Sequence, residues 1–225
     1  MPYRQVKYYQ EIGDFEAAYR IARKVWTENP TLTWPKSTLA WLIVRMLKVY
    51  AHAYSQERFF ELLKELDGMG VPQEDRKLWG AALWPIRDMA RDSLEMQWFT
   101  PQLGDRLFEA VKDFPTEKPS EAYSALISEF IRLGSLWPRL AEFIEWWGFE
   151  NFTEFDYRRY PEKGRQMSLA EKVMEAYLRA TKREGRELSE TFLEGLRELE
   201  RRDRRQAEEI YSIIESLKID WHGKH

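Results

Sequence analysis

Apolar side chains recur every three or four positions along almost the whole chain. That spacing is the period of an amphipathic α-helix with one face turned to the core. The two-residue alternation of a half-buried β-strand is hard to find. The pattern therefore predicts an all-α protein.

The segment YYQEIGDFEAAYRIARKVWTENP, residues 8–30, shows how consecutive helices are joined. Gly13 can take the left-handed conformation that ends one helix, and Asp14 can cap the next by accepting hydrogen bonds from its first amides. Ala18 and Ala22 are small enough for two helix backbones to approach closely. The segment therefore predicts a pair of antiparallel helices.

Similar stripes and caps predict further helices downstream. Ser55 and the capping box Ser168–Glu171 are the expected starts of two of them. Pro85 is expected to kink or break its helix. The predicted helices cover about 35–53, 56–67, 73–92, 102–113, 120–133, 138–147 and 168–182.

The end of the chain repeats the arrangement of its beginning. The interval between Asp203 and Ala207 equals that between Asp14 and Ala18. This predicts a second pair of helices with a break at Asp203. A single helix over 190–217 would keep nearly the same apolar stripe and remains the alternative.

Several residues of the first pair resemble the tetratricopeptide repeat, although Val25 stands where a second Ala is usual. The matching positions are Tyr9, Gly13, Asp14, Phe15, Ala18 and Pro30. The resemblance implies an irregular α-solenoid of antiparallel helix pairs, in which stacked pairs share one core. We expect one domain over 1–220 and a tail at 221–225, with a subdivision near 115–120 or 148–167 left open.

A second resemblance lies in FIEWWGFENFTEFDYRRY and the following SLAEKVMEAYLRA, within residues 140–181. These segments resemble tetratricopeptide-like proteins of the TOTE conflict systems of bacteria and mobile elements. There a helical-repeat protein accompanies primase, helicase and nuclease components. The resemblance implies an accessory, non-enzymatic role against invading nucleic acid.

The stretch 148–167 between two predicted helices is long for a loop. Its aromatic residues suggest that it folds down onto the helices. They are Phe149, Phe152, Phe155, Tyr157 and Tyr160. Trp-Pro also occurs at 34–35, 84–85 and 137–138, where helix starts are expected at the first and last sites and a cradle for Pro-rich peptides is the alternative.

Composition narrows the classes of function. The 225 residues carry a net charge of −3, which argues against a dedicated nucleic-acid binder, and aromatic residues are 15% of the chain. Cysteine is absent, which removes thiol nucleophiles, disulfides and Cys-type zinc sites and suits a reducing cytosol. No stretch approaches the roughly 18 apolar residues of a membrane span. We therefore expect a cytoplasmic protein with no membrane contact.

Candidate catalytic and metal-binding residues are few. His52 is expected to be a partly buried structural imidazole. Asp220, His222 and His225 form a terminal cluster that we expect to be solvated rather than metal-bound. Zincin, P-loop, dinucleotide and nucleophile-elbow motifs do not occur. We expect no catalytic residue, no metal and no cofactor.

The run RELERRDRR, residues 197–205, holds five arginines. Phosphate contact is one interpretation of this run, because guanidinium forks suit phosphate oxygens. The other is a helix laced by i,i+4 ion pairs such as Glu198–Arg202 and Glu200–Arg204. The residues assigned to a nucleic-acid contact are Arg201, Arg202, Arg204 and Arg205.

These observations favour a non-catalytic scaffold that docks another protein, as a peptide or helix in a concave groove. A conflict complex is the setting that the second resemblance implies. A nucleic-acid-binding accessory protein that uses 197–205 is the alternative. The sequence leaves the partner, the partner-binding residues and the oligomeric state open.

Overall fold

The computed structural model describes residues 1–52, 55–73, 75–112, 114, 118, 120–159 and 167–219. Within these ranges the chain forms helices and turns and no β-strand, so the predicted all-α class is confirmed. The helices are α1 (Pro2–Glu11), α2 (Phe15–Glu28), α3 (Thr33–His52), α4 (Gln56–Gly68), α5 (Arg76–Glu95), α6 (Pro101–Lys112), α7 (Glu121–Leu133), α8 (Leu140–Trp147), α9 (Leu169–Glu184), α10 (Glu190–Arg202) and α11 (Arg204–Ser216). Two 3-10 turns, Gly134–Leu136 and Phe149–Asn151, flank α8.

The first helix pair follows the predicted local chemistry. Gly13 has a φ of +80°, which favours glycine over residues with a side chain. The carboxylate of Asp14 accepts a hydrogen bond from the Ala17 amide at 2.9 Å and so caps α2. Ala18 and Ala22 are fully buried. The predicted turn, cap and close-packed positions are confirmed.

The chain groups into two compact units. One contains Met1–Asp92 and Ala110–Thr116, and the other contains Ser93–Glu109 and Glu117–His225. In the first unit α1 packs on α2, α2 on α3 and α3 on α4. Helices that follow one another along the chain are therefore also neighbours in space.

The second unit is organised around α9. This helix packs against α7, α8 and α11, and α10 packs against α11. The alternate helices α7, α9 and α11 thus lie next to one another. Asp203 separates α10 from α11, and its carboxylate accepts from the Arg205 and Gln206 amides at 3.1 and 3.2 Å. The predicted break is confirmed, and the single helix is wrong.

Aromatic rings fill the core of the second unit. Phe130 and Phe143 stack with their centroids 4.3 Å apart, and Trp137 meets Phe130 edge to face at 5.5 Å. Trp137 is fully buried and its indole donates to the Asp105 carboxylate at 3.0 Å. This Trp-Pro site therefore belongs to the core.

A buried polar cluster joins the start of α9 to α11. Glu171 is fully buried, accepts from the Ser168 amide at 2.6 Å and completes the predicted capping box. The Arg159 guanidinium lies 2.8 Å from Glu171 and 3.0 Å from Glu209. The Ser168 hydroxyl donates to the Gln206 side chain at 2.8 Å. We call these five residues the Glu171 cluster.

Three local expectations need correction. The expected break at Pro85 is wrong, because α5 runs through this residue from Arg76 to Glu95, and the expected kink stays a prediction. Ser55 precedes α4, but its side chain makes no capping hydrogen bond. In the stretch 148–167, Phe149 and Phe152 are buried as expected, whereas 62% of Phe155 is exposed. Tyr160 lies outside the described residues.

The Glu171 cluster provides a test of stability. We expect Glu171→Ala to lower the free energy of unfolding by about 3 kcal/mol or more, because it leaves the Arg159 charge half-buried and opens the capping box. Glu209→Ala removes the more exposed partner of the same guanidinium and should cost less than about 1 kcal/mol. Urea denaturation followed by circular dichroism measures both. Equal losses would contradict the assigned role of Glu171.

Two glycines form a second, matched test. A Cβ added at Gly195 would lie 2.6 Å from the Phe149 Cβ, whereas one added at Gly80 meets nothing within 4 Å. Gly195→Ala should therefore destabilise by about 1–3 kcal/mol through overpacking. Gly80→Ala should stabilise by up to about 1 kcal/mol, since alanine is the better helix former. Denaturation midpoints that shift in the same direction would contradict this packing.

Candidate functional site

A groove with a volume of about 650 Å³ runs along α9 in the second unit. Its apolar floor draws on four separate elements: the end of α7, the start of α8, the middle of α9 and the residue after α11. The residues concerned are Ile131, Leu140, Ala176 and Leu217. The groove thus depends on α7, α9 and α11 being neighbours.

One face of α9 supplies half of the groove's lining. Its six lining residues follow one another at steps of three, one, three, three and one, which places them on one side of an α-helix. They are Lys172, Glu175, Ala176, Arg179, Lys182 and Arg183. Eleven steps along the helix span roughly 17 Å. The other face of α9 is held in the core by Met174 and Tyr177, which are fully buried.

The charged residues of the groove are mostly basic. Among the described residues, five cations line it, against one carboxylate, that of Glu175. They are Arg132, Lys172, Arg179, Lys182 and Arg183. A groove with this lining suits an anionic ligand that also carries apolar groups.

Most of these cations have partners within the protein. The Arg179 guanidinium lies 2.7 Å from Glu175, in an exposed i,i+4 pair on α9. Arg183 lies 3.4 Å from Glu184, while the Lys182 ammonium donates to the carbonyl of Lys218 at 3.3 Å. Exposed ion pairs contribute little to stability, about 0–1 kcal/mol each. An external carboxylate can therefore share these guanidinium groups at low cost.

Arg132 lines the groove from α7. Its guanidinium pairs with Glu129 on α7 and lies 3.3 Å from Glu95. Neither carboxylate belongs to the groove lining. Arg132 and the cations of α9 thus face the same space, although some of the acids that pair with them lie outside it.

The groove was not predicted from the sequence. The apolar stripe predicts the helix α9, but Ile131 and Leu217 lie far from Ala176 along the chain and border the same groove only after folding. The available signal was the run of basic residues on the polar face of α9. Such a face is ordinarily a solvated surface, so the signal was weak.

The arginines of 197–205 have a different environment. Each of the four selected for nucleic-acid contact lies within 4 Å of a carboxylate, in the pairs Arg201–Glu198 (2.5 Å), Arg202–Glu198 (2.7 Å), Arg204–Glu208 (3.1 Å) and Arg205–Glu209 (3.9 Å). The expected Glu198–Arg202 pair is confirmed. The expected Glu200–Arg204 pair is wrong, since Glu200 accepts from the Tyr211 hydroxyl instead. Phosphate contact by these arginines stays a prediction.

His52 lies at the end of α3 in the first unit, where its imidazole is partly exposed and pairs with acidic side chains. Its side chain is 42% exposed and pairs with Asp92, with Asp88 3.8 Å away. Arg91 lies 2.9 Å from Asp92. Burial works against the charged carboxylate, but hydrogen bonds from His52 and Arg91 hold the pKa of Asp92 below its ordinary value. His52, Asp88, Arg91 and Asp92 thus form a network of acidic and basic side chains.

Among the described residues, neither a metal-ligand group nor a membrane-spanning helix is found. No group of three or more His, Cys, Asp or Glu side chains there is arranged to hold a metal ion. The terminal cluster of Asp220, His222 and His225 lies outside those ranges. Among the helices the structure describes, none is long and apolar enough to cross a bilayer.

Comparison of the chain with protein-family models, with curated proteins and with solved structures finds no match. The resemblances to the tetratricopeptide repeat and to conflict-system proteins therefore rest on the quoted residues. Both stay predictions.

Lys118 is a partly buried side chain of the second unit. Its ammonium donates to the Trp146 carbonyl at 2.8 Å and lies 3.5 Å from the centroid of the Trp146 ring. Both contacts favour the charged form. Burial outweighs them and lowers the pKa of Lys118 to about 8, although Glu150 acts in the opposite direction.

This pKa gives a stability test. Because the folded state holds the Lys118 proton more weakly than the unfolded chain does, protonation opposes folding, and that cost fades as the pH rises. The free energy of unfolding should therefore increase between about pH 8 and about pH 9.5, relative to Lys118→Met. Urea denaturation of both proteins across this range measures the difference. Parallel curves, or a relative fall for the unsubstituted protein, would contradict the assigned environment.

Proposed function

We propose that this chain is a non-catalytic docking protein of the cytoplasm that holds another protein on its helical surface. The observation that carries the proposal is the groove along α9, walled by three helices and open along its length. Grooves of this form accept a peptide or a helix of a partner. The setting is a bacterial or mobile-element conflict complex, in line with the resemblance of residues 140–181.

The chemistry of the groove supports binding rather than catalysis. General acid–base catalysis uses paired groups with separated pKa values in a closed site. Here one carboxylate, Glu175, is found among the described lining residues, and it is held by Arg179 at 2.7 Å. The other charged groups described in the lining are cations, which suit recognition of an anionic surface.

We further propose that the helices form an irregular α-solenoid of antiparallel pairs. Two observations support this arrangement. The helices α1 to α4 pack in chain order, and the alternate helices α7, α9 and α11 are neighbours. In a solenoid of helix pairs the alternate helices line one face, where partners bind.

Site-specific cross-linking tests the docking function. A photoreactive residue at Ala176 should capture one protein encoded beside this chain in its genome, when the two are co-expressed, and the complex should copurify at a fixed stoichiometry. The same group at Arg20, which is exposed on α2 in the first unit, is the control and should capture less of that protein. Partners of fixed stoichiometry are what a scaffold requires.

Circular dichroism of each labelled protein establishes that the helices are intact. With folding established, failure of every co-expressed neighbour to copurify would overturn the docking function. Capture at Arg20 and not at Ala176 would overturn the placement of the partner in the groove.

A further inference from the structure

The lining of the groove also indicates the chemistry of its occupant. We propose that the groove along α9 binds an acidic amphipathic helix, a segment of the partner with a stripe of apolar residues flanked by Glu or Asp. This inference rests on the proposed docking function. It adds the class of ligand and the residues that select it.

The dimensions of the groove fit a short helix. Its α9 wall extends roughly 17 Å, which corresponds to about three helical turns. Ile131 and Leu217 come from different elements and are exposed enough to supply apolar contacts, with the buried Leu140 beneath them. Ala176 is small and lets a helix approach α9 closely. An incoming helix would meet this floor with apolar residues at i, i+3 or i+4, and i+7.

The charges of the groove select the sign of the flanking residues. Arg132 stands on the α7 wall, and Arg179 and Lys182 stand on the α9 wall. A helix in the groove therefore has cations beside it on two sides. Guanidinium groups bind carboxylates through two parallel hydrogen bonds, and Lys182 donates within the protein to a neutral carbonyl.

The same lining favours a peptide over a nucleic acid. Single strands are held by aromatic side chains on which the bases stack, together with a positive groove. Among the described residues that line the groove no aromatic ring is present, and the floor is aliphatic. Aliphatic side chains suit the leucine or isoleucine of an amphipathic helix. The positive charge of the groove would suit either ligand, so it is the aliphatic floor that favours the peptide over the nucleic acid.

Fluorescence anisotropy with a defined probe tests the inference. The probe is a labelled helical peptide of about 14 residues, with leucine at i, i+3, i+7 and i+10 and glutamate at the flanking positions. Its matched control has lysine in place of every glutamate, and a thymidine oligonucleotide represents the nucleic acids. We expect the acidic peptide to bind, more weakly as salt is raised, and the basic peptide and the oligonucleotide to bind at least about tenfold more weakly.

Substitutions in the chain locate the binding. Arg179→Glu together with Lys182→Glu should weaken binding by about tenfold or more, because two groove cations become acids. Arg204→Glu together with Arg205→Glu makes the same change in net charge on α11, outside the groove, and should change the affinity by less than about twofold. Ala176→Trp fills the groove without changing charge and should also abolish binding. Circular dichroism shows whether each variant keeps its helices.

Each outcome has a defined consequence. Failure of the acidic peptide to bind, tighter binding of the oligonucleotide, or equal losses in the two charge-reversal variants would overturn the inference. Copurification of the native partner distinguishes failure of this inference from failure of the proposed function. A stoichiometric partner retained after Arg179→Glu with Lys182→Glu leaves the docking function standing and overturns the acidic-helix inference. Peptide binding without any native partner leaves the acidic-helix inference standing and overturns the docking function.

Discussion

The burial of the Glu171 carboxylate is the constraint on which the second unit depends. A charge removed from water is tolerated only when it is paired and hydrogen-bonded. Glu171 meets this requirement through the Ser168 amide and the Arg159 guanidinium. Ser168 in turn donates to Gln206, so the start of α9 is tied to the start of α11. The cluster therefore fixes the position of α9 relative to α11, and with it the position in which the polar face of α9 borders the groove.

Aromatic packing holds the other face of α9. Tyr177 stacks on Phe192 with centroids 4.9 Å apart, and Phe149 meets both rings edge to face. The missing side chain of Gly195 leaves the space into which Phe149 fits. The high aromatic content of the chain, 15%, suits either a core or an interface. In the second unit much of it is core, which confines the exposed chemistry of α9 to its charged residues.

The sequence predicted what local interactions determine and missed what distant contacts determine. Asp14, Asp203 and Ser168 accept hydrogen bonds from amides two or three residues further along the chain. The helix starts could therefore be predicted from adjacent residues of the sequence. Pro85 illustrates the opposite case. Local helix propensity predicts a kink or a break at this residue. Pro85 is buried within a continuous α5, so tertiary packing overrides the local propensity to break. The groove was missed for the same reason, because its floor is assembled from segments far apart in the chain.

The positions of the acids, rather than the number of arginines, distinguish the two basic regions. Around Asp203 every selected arginine pairs with a carboxylate on its own helix. Along α9 the basic residues share their groove with one carboxylate among the described residues, Glu175, and the acids that pair with Arg132 and Arg183 lie outside the described lining. A net charge of −3 for the chain conceals this difference. A ligand in the groove contacts the lining residues directly, and among the described ones the cations outnumber the acids. The cations along α9, although less conspicuous in the sequence than those of 197–205, are consequently the ones that line a common groove.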